Sequence, residues 1–277
     1  KVIREAWAAE VSPSDAGQGG GWTIRRQIVE YRDGETTLEG LYARPEGDGL
    51  SERIPGVIVA HTAVGSRSYF ILWKLDSIAR LGYAAFALDM FGAGRALWDR
   101  AESLAARRPI TEDRSLLQTR ALAAVQTLGR LEGVDSDRVA AVGYCFGGMV
   151  VLDLARMTPA VPGLKAVASL HGILAPMLPG AGKNPAAENA AVGPKVLVLH
   201  ASDDPFVRPE QVQAMEEEFA RRQANLEIVR YGGTARHAFT RPEKTEEADV
   251  AAGLSYDSHA DADSWRRVVE LLREGLA

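Results

Sequence analysis

The chain has 277 residues, of which 46% are hydrophobic and 25% are charged, proportions that are ordinary for a globular protein with a substantial core. A formal net charge of -5 without a concentrated patch of Lys and Arg argues against nucleic acid as the main partner. The single cysteine, Cys145, excludes an internal disulfide and a cysteine-rich metal site, and no run approaches the ~18 apolar residues of a membrane helix.

Residues 1–21 run into a stretch rich in Ser, Pro and Gly, so we expect a peripheral N-terminal arm followed by a single domain over residues 22–277. The first residues lack the apolar segment typical of a signal peptide, which favours a cytoplasmic location. A periplasmic or secreted location stays open because the chain starts at Lys1 and not at a methionine. Composition leaves the oligomeric state undetermined.

The domain begins with a predicted hairpin and continues as an alternation of strands and helices. Residues 24–31 and 36–43 are rich in β-forming residues and flank Asp33-Gly34, a dipeptide typical of tight hairpin turns. Continuous apolar runs then predict strands over residues 57–61, 83–88, 139–142, 164–170, 196–200 and 226–231. Helical spacing of apolar residues predicts one helix that ends near Leu81, one after Cys145, and helices over residues 113–131, 209–223 and 263–276.

This alternation predicts an α/β fold, with a mostly parallel sheet of about eight strands and helices on both faces. The stretch over residues 172–194 is rich in Pro and Gly and is predicted to form a loop or lid. The sequence contains no evident internal repeat and no evident break between domains. The sheet is therefore expected to form one unit.

Cys145 lies where a predicted strand meets a predicted helix, within the sequence Gly-Tyr-Cys-Phe-Gly-Gly over residues 143–148. This order is the nucleophile-elbow pattern with cysteine in place of serine, and its glycines allow the two backbones to approach closely. The helix N-terminus favours a thiolate, and the Phe146 N–H is placed to donate to an oxyanion formed on a substrate carbonyl. The alternative, a small buried apolar cysteine, leaves the glycine pattern unexplained.

A nucleophile at an elbow is followed in the chain by an acid and a histidine, in loops beyond later strands. Asp203 and Asp204 follow the strand over residues 196–200, and His237 follows the strand over residues 226–231. His237 is the predicted base, and Asp204 is the predicted acid because it directly precedes a proline that can turn it inward. Either aspartate alone could instead be a solvated turn residue.

Three further histidines end or directly follow apolar strands and are candidates to line the same crevice: His61, His171 and His200. Each could equally be a structural histidine whose nitrogens are satisfied by hydrogen bonds. A metal site built from His200, Asp204 and His237 is an alternative, but these residues lack tight ligand spacing and the elbow would have no role. We therefore expect no metal and no cofactor, and we expect His259 on the surface.

The motifs Gly-Tyr-Cys-Phe-Gly-Gly, Asp-Asp-Pro-Phe-Val and His-Ala-Phe-Thr together closely resemble those of the dienelactone hydrolase family, from about Ile28 to the end of the chain. The resemblance implies the α/β-hydrolase fold and a Cys-His-Asp triad at Cys145, His237 and Asp204. It also implies hydrolysis of lactones or esters through a thioester acyl-enzyme. A second oxyanion donor would then come from Ala63, in the loop after the strand over residues 57–61.

Two positions depart from the family pattern. Family members commonly carry a glutamate that holds the resting cysteine, and the matching position here is Thr62, which has no charge and cannot act as a base. A family arginine that binds the substrate carboxylate follows the strand that ends at Asp89, and Arg95 is the candidate here, offset by two positions. A solvated surface arginine is the alternative for Arg95. The expected substrate-binding residues are thus Arg95, Thr62 and His61.

The leading hypothesis is a cysteine-dependent hydrolase of small carboxylic esters or lactones, with activated phosphoesters as side substrates. The alternatives are an acyltransferase or thioesterase that uses the same acyl-enzyme, and a catalytically degenerate binding module on the same fold. The expected partner of the enzyme is a small ester or lactone, without nucleic acid or membrane.

Overall fold

A computed structural model describes residues 22–176 and 190–277. Within these segments the strands are β1 (Thr23–Asp33), β2 (Thr36–Glu46), β3 (Ile54–Ala60), β4 (Ala84–Ala87), β5 (Val134–Tyr144), β6 (Leu164–Leu170), β7 (Lys195–Ala201) and β8 (Leu226–Tyr231). The N-terminal arm predicted for residues 1–21 lies outside the described residues. So do residues 177–189 of the predicted loop.

The eight strands form one sheet in the order β1-β2-β4-β3-β5-β6-β7-β8. β1 and β2 form the predicted hairpin at one edge, in a register that pairs Thr23 with Glu46 and Asp33 with Thr36. β2 is antiparallel to β4, and all later neighbours in the order are parallel. The prediction of a mostly parallel α/β sheet of about eight strands is confirmed.

Helices cover both faces of the sheet: α1 (Tyr69–Arg80), α2 (Arg100–Glu112), α3 (Arg114–Arg130), α4 (Phe146–Arg156), α5 (Pro209–Arg221), α6 (Glu247–Ala251) and α7 (Ser258–Gly275). α3, α4 and α5 contribute Leu117, Val150 and Phe219 to the apolar core on one face. α1 and α7 contribute Leu75 and Leu272 to the core on the other face. None of the helices in the described segments is long and apolar enough to cross a membrane.

The central strand β5 explains why both faces need helices. Val139 and Ala141 belong to one apolar core, and the alternate residues Ala140 and Val142 belong to the other. Successive side chains of a strand point to opposite faces, so a continuous apolar run suits a strand between two helical layers. The carboxyl ends of the parallel strands consequently meet at one edge, where the loops bring polar side chains together.

Helix α2 is absent from the elements predicted above. Only Ser103 and Ile110 of this helix are buried, so it has no apolar stripe, and it contains Pro109. Asp99 caps its N-terminus by accepting a hydrogen bond from the Glu102 N–H at 2.9 Å. A helix that packs through so few side chains leaves little trace in hydrophobic periodicity.

Two other elements begin five residues earlier than predicted. β5 starts at Val134, ahead of the predicted residue 139, and residues 135–137 lie within the strand where its register with β3 shifts. α7 starts at Ser258, ahead of the predicted residue 263. Asp257 fixes this start because its carboxylate accepts a hydrogen bond from the Ala260 N–H at 2.9 Å.

Candidate active site

Cys145 lies at the junction between β5 and α4, in a backbone conformation that is unusual for a residue with a side chain. Its φ is 57°, in the left-handed region, and such strain is a common feature of functional turns. A Cβ atom on Gly143 would overlap the carbonyl oxygen of Gly147, and one on Gly147 would overlap the carbonyl oxygen of Ala60. Glycine is therefore required on both sides of the cysteine, as the elbow pattern predicts.

His237 and Asp204 approach each other from the loops after β8 and β7. The Nδ1 atom of His237 donates a hydrogen bond to Oδ2 of Asp204 at 2.7 Å, and both side chains are buried. The other carboxylate oxygen of Asp204 accepts a hydrogen bond from the Phe206 N–H at 2.8 Å. Asp203 turns outward instead, where its carboxylate lies 3.3 Å from Arg236 and is 63% exposed. Only Asp204 of the two aspartates contacts the histidine.

The thiol and the imidazole alter each other's pKa. Burial raises the pKa of Cys145, but the charge of His237 and hydrogen bonds from His237, Ala63 N–H and Phe146 N–H outweigh it, and the pKa falls to about 7. Burial lowers the pKa of His237, but the charges of Cys145 and Asp204 and their hydrogen bonds raise it to about 10. The lowered pKa of the thiol and the raised pKa of the imidazole both favour a thiolate beside an imidazolium.

The loop after β3 presents Ala63 toward the same sulfur. Thr62 O accepts a hydrogen bond from the Gly65 N–H at 3.2 Å, which closes a tight turn. The hydroxyl oxygen of Thr62 accepts a hydrogen bond from the Val64 N–H at 3.4 Å, so this side chain bonds to its own loop. The Ala63 N–H, which contributes to the low pKa of Cys145, completes a pair of backbone donors with Phe146 N–H.

His61 is buried and has both ring nitrogens engaged by the backbone. Nδ1 donates a hydrogen bond to Thr62 O at 2.6 Å, and Nε2 accepts one from the Met90 N–H at 3.2 Å. The ring also packs against Phe91 and Phe146, with centroids 4.8 and 5.9 Å away. These contacts leave no ring nitrogen free for a substrate. His61 instead joins the loop after β3 to the loop after β4.

The loop after β4, which carries Arg95, is organised by a buried carboxylate. Asp89 accepts hydrogen bonds from the N–H groups of Phe91, Gly92 and Gly94 at 2.9, 3.0 and 2.8 Å. Arg95 itself is exposed, and its Nη2 atom donates a hydrogen bond to Phe91 O at 3.2 Å. The guanidinium is thus anchored to its own loop at the rim of the sheet edge.

His171 and His200 are buried close to the triad residues. The Nε2 atom of His171 lies 2.8 Å from the hydroxyl of Thr240, and its ring packs edge-on against His237 at 5.3 Å between centroids. Burial lowers the pKa of His171 well below its usual range, so the ring stays neutral beside His237. Burial also lowers the pKa of His200. Within the described residues, Nδ1 of each ring is buried without a hydrogen-bond partner.

The alternative of a metal centre gains no support from this geometry. Within residues 22–176 and 190–277, no group of three or more His, Cys, Asp or Glu side chains is spaced to hold a metal ion. The Nδ1 atom of His237 is instead bonded to Asp204. His259 is exposed on α7.

Phe206 is a site residue to which the sequence motifs assign no role. Its ring packs against His237 with centroids 4.7 Å apart, while the side chain remains 41% exposed. It therefore shields part of the imidazole and leaves an apolar surface exposed beside it. The Asp-Asp-Pro-Phe-Val motif contains the signal, because the turn that aims Asp204 inward also fixes Phe206 two positions later.

A cysteine on a strained strand-to-helix turn, at the carboxyl edge of a mostly parallel sheet covered on both faces, defines an α/β-hydrolase. Within that class the chain belongs to the dienelactone hydrolase family, whose model matches residues 38–276. The family predicted from the three motifs is thereby confirmed.

Individual relatives agree with this membership. A dienelactone hydrolase-like promiscuous phosphotriesterase from metagenomic libraries is 33% identical, with a TM-score of 0.81 over 92% of this chain and 99% of that chain. A putative carboxymethylenebutenolidase of Synechocystis sp. is 24% identical over 91% of this chain and 98% of its own length. A probable 2-oxo-3-(5-oxofuran-2-ylidene)propanoate lactonase of Bradyrhizobium sp. is 26% identical over 82% of this chain and 88% of its own length.

Proposed function

We propose that this protein hydrolyses small carboxylic esters or lactones through a triad of Cys145, His237 and Asp204. The observation that carries the proposal is the buried hydrogen bond between Asp204 and His237, beside the partly buried Cys145, whose pKa is lowered by the charge of His237. The names of the lactonase and carboxymethylenebutenolidase relatives support lactones and esters as the substrate class. A small-molecule substrate is the proposed partner.

In the first half of the reaction the Cys145 thiolate attacks the substrate carbonyl and forms a tetrahedral intermediate. The negative oxygen accepts hydrogen bonds from Ala63 N–H and Phe146 N–H, the two donors that face the sulfur. The His237 imidazolium gives its proton to the departing alkoxide, and the C–O bond breaks to leave a thioester. Asp204 stabilises the imidazolium and holds its ring orientation throughout.

In the second half water attacks the thioester while His237 accepts its proton. The new tetrahedral intermediate uses the same two N–H donors and collapses to the carboxylic acid and the Cys145 thiolate. The acid then ionises, and the thiolate and imidazolium ion pair is restored. Atoms and protons balance over the cycle, since one water is consumed for each ester bond cleaved.

Because Thr62 stands where family members commonly have a glutamate, the resting Cys145 has no carboxylate at this position beside it. A threonine has no charge to compete for the sulfur, and the Thr62 hydroxyl is bonded to the Val64 N–H. The thiol is then activated by His237 and by the N-terminus of α4, without help from a nearby glutamate. Thr62, in the loop after β3, remains proposed as a neighbour of the substrate. Arg95, in the loop after β4, remains proposed at the rim of the site, where its exposed guanidinium is bonded to Phe91 O and makes no selective contact with acidic substrates.

Activated phosphotriesters are a second proposed substrate class, because a relative that is 33% identical is named a promiscuous phosphotriesterase. The Cys145 thiolate would attack phosphorus and displace one alkoxide or aryloxide, which takes the proton of the His237 imidazolium, while the phosphoryl oxygen occupies the same pair of N–H donors. Water would then cleave the S–P bond, give its proton to His237 and restore the thiolate. The expected rate is lower than for esters, since the tetrahedral substrate fits less well in a site shaped for a planar carbonyl.

The test is the release of p-nitrophenol from p-nitrophenyl acetate, measured in a stopped-flow instrument. The parent protein should give a burst of one equivalent followed by steady turnover, and Cys145→Ala should lose roughly 10³-fold or more of the turnover rate. One equivalent of iodoacetamide should inactivate the parent protein. Full activity in Cys145→Ala would show that Cys145 is not the nucleophile.

The same assay separates the alternative functions. An acyltransferase would release p-nitrophenol faster when an added alcohol or amine is present, and the acyl group would appear on that acceptor. A thioesterase would prefer acyl thioesters over oxygen esters of the same acyl group. A binding module would show no turnover above the buffer rate with any ester or lactone.

A further inference from the structure

The loop after β3 is held at three successive carbonyl groups, one by the ring of His61 in the same loop and two by donors from residues 97–103. The hydrogen bonds are His61 Nδ1 to Thr62 O at 2.6 Å, Ser103 Oγ to Ala63 O at 2.6 Å, and Leu97 N to Val64 O at 2.7 Å. The middle one comes from a side chain of α2, the helix that the sequence pattern does not reveal. This helix therefore reaches the residue whose N–H faces the sulfur.

The hydroxyl of Ser103 is used differently from the other hydroxyl in the same helix. Serine and threonine in a helix commonly bond back to a carbonyl of the preceding turn, and Thr111 does so, to Arg107 O at 3.2 Å. The Ser103 hydroxyl instead leaves the helix and bonds to Ala63 O, 40 positions earlier in the chain. Ser103 is also buried, with 5% of its surface exposed. The Ser103 hydroxyl therefore bonds to the loop after β3 and not to its own helix.

We propose that Ser103 is a positioning residue that holds Ala63 in place as an oxyanion donor, an inference that rests on the function proposed above. Ala63 lies between two peptide planes. His61 fixes the plane that contains Thr62 O and the Ala63 N–H, and Ser103 fixes the next plane through Ala63 O. The direction of the N–H depends on both planes, because a rotation of either one moves the Ala63 backbone.

Loss of the Ser103 hydroxyl has two consequences for the loop. The Ala63 carbonyl loses its partner in a part-buried position, and the peptide after Ala63 becomes free to rotate toward another donor. The Ala63 N–H then moves relative to the reacting oxygen. A misplacement of about 1 Å in a catalytic group can cost on the order of 10²-fold in rate. Because the Ser103 hydroxyl is already bonded to Ala63 O, its loss is expected to change kcat more than KM.

The experiment compares Ser103→Ala with Ser103→Thr, which restores the hydroxyl. Ser103→Ala should lower kcat for p-nitrophenyl acetate by about tenfold or more and leave KM within about twofold, the pattern of an interaction made in the transition state. The apparent pKa of the Cys145 thiol should rise, because one N–H donor to the thiolate is displaced. Ser103→Thr should recover most of both losses.

Ser264→Ala is the matched control. Ser264 is fully buried on α7, and its hydroxyl donates to Asp261 O at 2.9 Å, so this variant also removes a buried hydroxyl bonded to a carbonyl. It should leave kcat and the thiol pKa unchanged. Far-ultraviolet circular dichroism and Tm of every variant show whether the chain is folded.

The inference is overturned if folded Ser103→Ala keeps the parent kcat and thiol pKa, or if only its Tm falls. It is also overturned if Ser103→Thr is as impaired as Ser103→Ala. A Cys145→Ala arm separates this failure from failure of the proposed function. If Cys145→Ala is active, Cys145 is not the nucleophile and the proposed function fails. If Cys145→Ala is inactive and Ser103→Ala is fully active, only the role proposed for Ser103 fails.

Discussion

The Nδ1 atom of His237 lies 2.7 Å from Oδ2 of Asp204, with the histidine side chain 4% exposed and the aspartate side chain fully buried. This contact sets the orientation of the imidazole and directs its other nitrogen toward the crevice. Asp203, one position earlier, pairs with Arg236 at the surface. The turn through Pro205 therefore separates two adjacent aspartates into one buried group and one exposed group.

Asp204→Asn and Asp203→Asn should have very different effects on ester hydrolysis. Asp204→Asn replaces an acceptor with an amide that can favour the wrong imidazole tautomer, so kcat should fall by on the order of 10²-fold or more. Asp203→Asn removes only an exposed ion pair and should change kcat by less than about threefold. Steady-state kinetics with p-nitrophenyl acetate measures both. Equal losses would mean that His237 does not depend on Asp204 alone.

The ion pair of Cys145 and His237 should appear in a pH titration of the thiol. The thiolate forms as pH rises through about 7, and the imidazolium persists until about 10, so the alkylation rate with iodoacetamide should rise with a midpoint near 7. In His237→Ala the burial of the sulfur is no longer opposed by the ring charge. The midpoint should then move above the ordinary thiol value of ~8.5.

Thiolate absorbance in the ultraviolet provides an independent readout of the same two titrations. A parent protein that titrates at the ordinary thiol pKa would contradict the standing ion pair.

Because Thr62 carries no charge, Thr62→Val should leave the midpoint of the thiol titration unchanged apart from small effects of the lost bond to the Val64 N–H. A large shift in Thr62→Val would give that hydroxyl a direct role at the sulfur.

Arg95→Ala tests whether the loop after β4 selects acidic substrates. The Arg95 side chain is exposed and donates to Phe91 O, so we expect kcat/KM to fall by less than about threefold, equally for acidic and neutral esters. The measurement uses matched pairs of esters with and without a terminal carboxylate. A selective increase of tenfold or more in KM for the acidic member would instead establish carboxylate binding, since a charged hydrogen bond is worth about 1.5–3 kcal/mol.

Asp153→Asn should strongly destabilise the fold beneath the nucleophile. Asp153 is fully buried on α4 and accepts hydrogen bonds from Arg114 Nε at 2.6 Å and Arg156 Nη1 at 3.0 Å. Loss of its charge leaves two buried guanidinium groups without this counterion, which should cost about 3–5 kcal/mol in the free energy of unfolding. Urea unfolding measures the change.

Glu112→Gln is the control for that experiment. Glu112 also pairs with an arginine, Arg108, at 2.8 Å, but both side chains are mostly exposed. Solvent screens such a pair, so the unfolding midpoint should not change measurably. A similarly small change in Asp153→Asn would show that the buried cluster is dispensable for stability.

The amino-acid sequence by itself determined the sheet, the elbow and the family. Hydrophobic periodicity is a local property, so the continuous apolar runs marked the buried strands, and Asp33-Gly34 marked the hairpin. The glycines around Cys145 are required by close backbone contacts, which is why a short motif was sufficient to locate the turn. The same local logic failed for α2, where Ser103 and Ile110 are the only buried residues.

Only the tertiary structure decided how the polar groups are used. Asp203 and Asp204 are adjacent in the chain, and although the following proline favoured Asp204, only the structure shows that Asp204 contacts His237 while Asp203 pairs with Arg236. His61 follows a strand like other crevice residues, yet Met90, 29 positions away, occupies one of its nitrogens. The partner of a polar atom depends on which distant segments meet at the sheet edge. That meeting is set by the packing of the helices and not by the local pattern of residues.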